Sequence, residues 1–114
     1  MKHFQMCAMV SLAIMAASPA MAETPNLQWG SDTRAMSQPD CLNRAKFAMG
    51  EQGLSVSGGD GSHVSGAGPN VAVLVTCISL GQRTFIDVVG ASPDPDTAGR
   101  FRNGVRSLVM GPPN

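Results

Sequence analysis

Val71 to Leu80 (VAVLVTCISL) is a ten-residue run rich in β-branched side chains, and Arg83 to Val89 (RTFIDVV) is a second, shorter one. Only Gly81-Gln82 separates them. Two such runs joined by two residues, the first a glycine able to take positive φ, read as an antiparallel hairpin with a primed-type turn. Counting outward from that turn, Leu80 opposes Arg83, Cys77 opposes Ile86 and Val75 opposes Val88. Side chains alternate across a strand, so Val73, Val75, Cys77, Thr84, Ile86 and Val88 share one face. Leu74, Thr76, Ile78, Leu80, Arg83, Phe85, Asp87 and Val89 share the other.

Cysteine decides which of these faces is the core. The chain has three cysteines, Cys7, Cys41 and Cys77. Cys7 belongs to an N-terminal segment with the parts of a secretory signal peptide. Lys2 and His3 form a basic start, Met6 to Ala17 is apolar except for Ser11, Ser18-Pro19 breaks any helix, and Ala20-Met21-Ala22 is an A-x-A cleavage site. The apolar stretch falls short of the roughly 20 residues a spanning helix needs, so no stable membrane anchor is expected. Cys7 also stands too early for a lipid-attachment cysteine. Cleavage is expected after Ala22, which removes 22 of 114 residues and leaves a domain of 92. The domain then holds Cys41 and Cys77 alone, an even count that in an exported protein reads as one structural disulfide. A redox pair or a metal site is the alternative, but there is no C-x-x-C and only one histidine remains, His63.

The rest of the chain supplies elements on which to hang that bridge. Asn26-Leu27-Gln28-Trp29 alternates and reads as a short first strand, followed by a polar connection over Ser31 to Met36. Ser37-Gln38-Pro39-Asp40 has the marks of a helix start. In the helix that follows, Cys41, Leu42, Ala45, Ala48 and Met49 form one apolar stripe, with Phe47 off it. Gln52 to Ser57 reads as a strand. Gly58 to Pro69, with five glycines and no periodicity, reads as a mobile Gly-rich loop. Ser92-Pro93-Asp94-Pro95-Asp96 opens the last helix, where acids favour the positive end of the dipole, and Ala98, Phe101, Val105, Leu108 and Val109 form its apolar stripe. The expected fold is a single α+β domain of residues 23–114 in the order β-α-β-β-β-α. Its sheet is rich in antiparallel pairs, and two helices pack on one face. Because Cys77 must meet Cys41 on the first helix's apolar stripe, the Cys77 face is assigned to the core.

The second hairpin face should then be polar, and five of its eight positions are not: Leu74, Ile78, Leu80, Phe85 and Val89. Either another part of the chain folds over it or it is a surface for a partner protein or a second copy. Balanced charge, 8 Lys+Arg against 8 Asp+Glu, denies the chain the broad basic field that non-specific nucleic-acid binding uses, so no nucleic-acid partner is expected.

Signatures of chemistry are few. His63 lies near Asp60, Ser62 and Ser65, residue types of a hydrolytic triad, but without a G-x-S-x-G elbow. Asp94 and Asp96 read as helix acids rather than metal ligands, and neither a metal nor a cofactor is expected. Arg100, Arg102 and Arg106 on the last helix read as a solvated face, with a carboxylate, phosphate or glycan site as the alternative. The functional expectation is an exported, non-enzymatic binding or interaction protein, located in the periplasm or outside the cell. The alternative is a small secreted hydrolase using His63.

Overall fold

The computed structural model describes residues 25–111. The expected leader and cleavage site at residues 1–22 lie outside the described residues. In chain order the elements are β1 (Asn26–Arg34), α1 (Gln38–Glu51), β2 (Ser55–Gly59), β3 (His63–Gly68), β4 (Val71–Ser79), β5 (Thr84–Ser92) and α2 (Pro95–Met110). The five strands form one sheet in the order β1-β5-β4-β3-β2, and every neighbouring pair is antiparallel. This is the α+β class expected, with its antiparallel sheet and two helices.

The central hairpin has the register read from its turn: Cys77 pairs with Ile86 and Val75 with Val88. Leu80 N–H donates to Arg83 O at 2.7 Å, and Gly81 has φ of 91°, a conformation in which a Cβ is strained. Along β4 and β5 burial alternates strictly on one side, with Val71, Val73, Val75, Cys77, Thr84, Ile86, Val88 and Ser92 buried. Both helices cover this side. Cys41, Ala45, Ala48 and Met49 of α1 and Ala98, Val105 and Val109 of α2 are fully buried against it. Cys41 and Cys77 form the disulfide, with Cα atoms 6.2 Å apart. Gln38 Nε2 donates to Cys77 O at 2.7 Å and ties the start of α1 to the same strand.

Both helix starts follow the local code. Ser37 is the N-cap of α1, its hydroxyl accepting from Asp40 N at 3.2 Å, with Pro39 in the first turn. Asp94 caps α2, accepting from Asp96 N and from the Thr97 hydroxyl at 2.7 Å. On α2 the buried stripe runs through Met110, whereas Leu108 is exposed.

Two expectations are corrected. The Gly-rich segment 58–69 is not a loop: it finishes β2 and contributes β3, so four strands rather than three separate the helices. Val64, Gly66 and Gly68 face the helices in alternation, and a Cβ on Gly66 would lie 2.7 Å from Met49 Sδ and 3.2 Å from Ser55 O. Glycine lets α1 approach the sheet there, and glycine carries no hydrophobic signal. Likewise β1 does not stop at Trp29. It continues through the polar residues 31–34 because residues 84–87 of β5 offer a ladder for their backbone.

Candidate functional site

With both helices on one side, no element among the described residues covers the other side of the sheet, and strand register arranges it in rows. At one end Ala67, Ala72 and Ala91 stand side by side, flanked by Ser55 and Leu27. The next row is larger and apolar, Leu74, Val89 and Trp29 beside Ser65. A polar row follows, His63, Thr76, Asp87 and Ser31, and beyond it Ile78, Phe85 and Thr33. The small side chains of the first row and the larger ones of the second enclose a shallow trough of about 300 Å³, whose lining includes Ala67, Ala72, Leu74, Val89 and Ala91.

Of the sequence-derived surface residues, Leu74, Ile78 and Leu80 are exposed, while Phe85 and Val89 are half-buried. The structure brings Leu74 and Val89 together as a cross-strand pair, and Ile78 with Phe85. Leu80 stands apart at the turn. Polar Thr76 and Asp87 divide the apolar surface into two parts. Sequence reasoning missed the share contributed by β1: Trp29 is 68 % exposed and Leu27 55 % exposed, on the same open face. Their alternation showed that they share a face, but only the pairing of β1 with β5 places that face beside Val89. Phe47 is also exposed, on α1, on the opposite side of the sheet from Trp29.

His63 lies at the edge of this surface, where β2 turns into β3. Asp60 Oδ1 accepts from Ser62 N at 2.7 Å, Ser62 Oγ at 2.9 Å and His63 N at 3.0 Å, and lies 2.9 Å from His63 Nδ1. The Ser62 amide first, and then its hydroxyl, hold the Asp60 carboxyl below its usual range. This is an Asx-type turn in which the serine is hydrogen-bonded to the acid rather than to the histidine. A Ser/His/Asp relay needs the serine hydroxyl on the imidazole.

Two of the three arginines of α2 have a structural task. Arg102 Nη1 donates to Trp29 O at 2.6 Å, and Arg106 approaches Asp32 at 3.8 Å. Both are half-buried over β1 rather than on a solvated face, whereas Arg100 is exposed. Among the described residues no group of three His, Cys, Asp or Glu side chains is placed to hold a metal ion. No helix among them is long and apolar enough to cross a membrane. No protein-family model matches the chain, and no curated protein is significantly similar to it.

Proposed function

We propose that this chain is an exported, non-enzymatic binding module that docks a protein partner, a second copy included, on the open face of its sheet. The observation that carries the reading is the apolar surface of Leu27, Trp29 and Leu74, with Ile78 beyond a polar row, which no described element covers on a domain whose helices both lie on the opposite side. A solvated antiparallel face ordinarily alternates to polar side chains, and contiguous apolar surface marks interaction sites. An aromatic anchor, Trp29, in the row that borders a shallow trough suits the docking of a partner side chain. Export is supported by the leader-like N-terminus and by the disulfide, which persists in oxidising compartments such as the periplasm or the extracellular medium. A hydrolase built on His63 has less support, because Ser62 Oγ is bonded to Asp60.

Site-specific photo-crosslinking in cells of the native host tests the proposal. A crosslinker replacing Leu74, Ile78 or Trp29 is expected to give one discrete adduct, either a homodimer or a complex with one envelope protein. The same group at exposed Asn103 of α2 is expected to give none. Adducts of equal yield at all four positions, or at none, would overturn the reading. His63→Ala is expected to leave the adduct intact.

A further inference from the structure

A second concave site lies at the end of the sheet where β1 leads into α1, remote from the trough in the alanine row. It is a pocket of about 370 Å³ lined by three of the chain's six arginines: Arg34 from β1, Arg44 from α1 and Arg83 from the turn before β5. Asp40 is the single acid among its described lining residues, and Met36 and Met110 supply an apolar wall. In a chain with only 14 % charged residues, this is a dense concentration of positive charge.

The partners these arginines have leave much of their capacity unused. Arg44 gives its Nε to Asp40 Oδ2 at 3.1 Å, which leaves both Nη groups outside that ion pair. Among the described residues Arg83 is held by Nη2 alone, donating to Thr33 O at 3.0 Å and Thr33 Oγ1 at 3.1 Å, so the fork is fixed in place by β1. Arg34 approaches Asp32 no closer than 3.7 Å, and its Nε, like those of Arg102 and Arg106, is buried with no hydrogen-bond partner among the described residues. Bringing three guanidinium groups to one pocket costs free energy through mutual repulsion. An oxyanion relieves that repulsion, because the guanidinium fork matches the paired oxygens of a carboxylate or phosphate.

We propose that this pocket binds a small organic oxyanion, a carboxylate or phosphate monoester, with its charged end on Arg34, Arg44 and Arg83 and its apolar body on Met36 and Met110. The volume is in the range of small-molecule sites and exceeds what a bare inorganic ion fills. The site is independent of the sheet face and stands or falls separately from it.

Titration of the disulfide-bonded protein with phenyl phosphate, benzoate and inorganic phosphate at constant ionic strength, followed by NMR, tests this. Saturable binding of phenyl phosphate or benzoate is expected, with shifts at the Arg44 and Arg83 Nε–H signals and the Met110 methyl. Inorganic phosphate is expected to bind more weakly. Arg44→Gln should weaken binding about tenfold, the scale of one charge-assisted hydrogen bond. Asp40→Asn should tighten it, since it removes the competing carboxylate, and this variant keeps the test decisive if Arg44→Gln disturbs folding. Arg100→Gln, remote from the pocket, should change nothing. Absence of saturable binding by all three probes overturns the proposal, as does an equal loss in Arg44→Gln and Arg100→Gln, the mark of diffuse attraction. Inorganic phosphate binding as tightly as phenyl phosphate would overturn the assignment to an organic ligand.

Discussion

Cys41 and Cys77 are fully buried, so the disulfide crosses the core rather than decorating the surface. It spans a separation of 36 residues, for which loop closure in the unfolded chain is worth about 3–4 kcal/mol. Small domains have total stabilities of about 5–15 kcal/mol, so the bridge is a large share. Replacing both cysteines by alanine is expected to lower the urea unfolding midpoint by a corresponding amount, and an unchanged midpoint would show that the bridge contributes little. Gly90 is a second position where one atom decides. A Cβ there would collide with Ala98 O of α2 and lie 3.1 Å from Arg102 Cβ. Backbone cannot swing aside as a side chain can, so Gly90→Ala is expected to destabilise by about 1–3 kcal/mol or more, visible as a lower melting temperature. Protonation supplies a third test. Hydrogen bonds from Ser62 hold the Asp60 carboxyl below its ordinary value of 3.8. A depressed carboxyl stabilises the fold above its unfolded pKa and ceases to do so as pH falls through the folded value. The Ser62 and His63 amide signals are therefore expected to shift together with a midpoint below 3.8, and Asp60→Asn should abolish that step.

Elements differ in how much of their cause is local. The start of α1 is written in Ser37, Pro39 and Asp40, and removing the cap in Ser37→Ala should cost about 1 kcal/mol of thermal stability. Helix α2 is weaker by propensity, because Gly99 and Gly104 stand in its interior. The two are not equivalent. A Cβ on Gly104 would run into the Gln52 side chain, whereas one on Gly99 meets nothing closer than Gln28 Cγ at 4.0 Å. Gly99→Ala is expected to raise stability by up to about 1 kcal/mol, and a loss would mean that the helix needs flexibility there. Strand β3 is the opposite case. Of its helix-facing residues only Val64 carries an apolar signal, since Gly66 and Gly68 are selected by how closely Met49 and Leu54 pack over them. That requirement belongs to α1 and the segment after it, and no window of residues 58–69 contains it. The extension of β1 through residues 31–34 has the same origin, in an unpaired edge of β5.

At the scale of the whole molecule, a five-stranded sheet covered on one side leaves its second side to solvent or to a partner. If the partner is a second copy, light scattering on the wild type should report a dimer, and Leu74→Glu with Ile78→Glu should give a monomer that melts within about 1 kcal/mol of the parent. A wild-type monomer would exclude self-association and leave a different protein as the occupant. The candidate surface was legible for the hairpin, where one turn and one cysteine assign every side chain to a face. It was not legible for Leu27 and Trp29, whose neighbours are about 60 residues away, nor for Arg34, Arg44 and Arg83, which separate elements bring to one pocket. Local spacing determined the hairpin register, the helix starts and the apolar character of the second face, because period and turn chemistry act within a few residues, while the cysteine count alone pointed to the pairing of Cys41 with Cys77. Only the tertiary structure decided that the glycine segment becomes a strand, that β1 widens the open face, and that three arginines share one cavity. Those outcomes depend on backbone partners and close approaches between segments far apart in the chain, which spacing along the sequence does not encode.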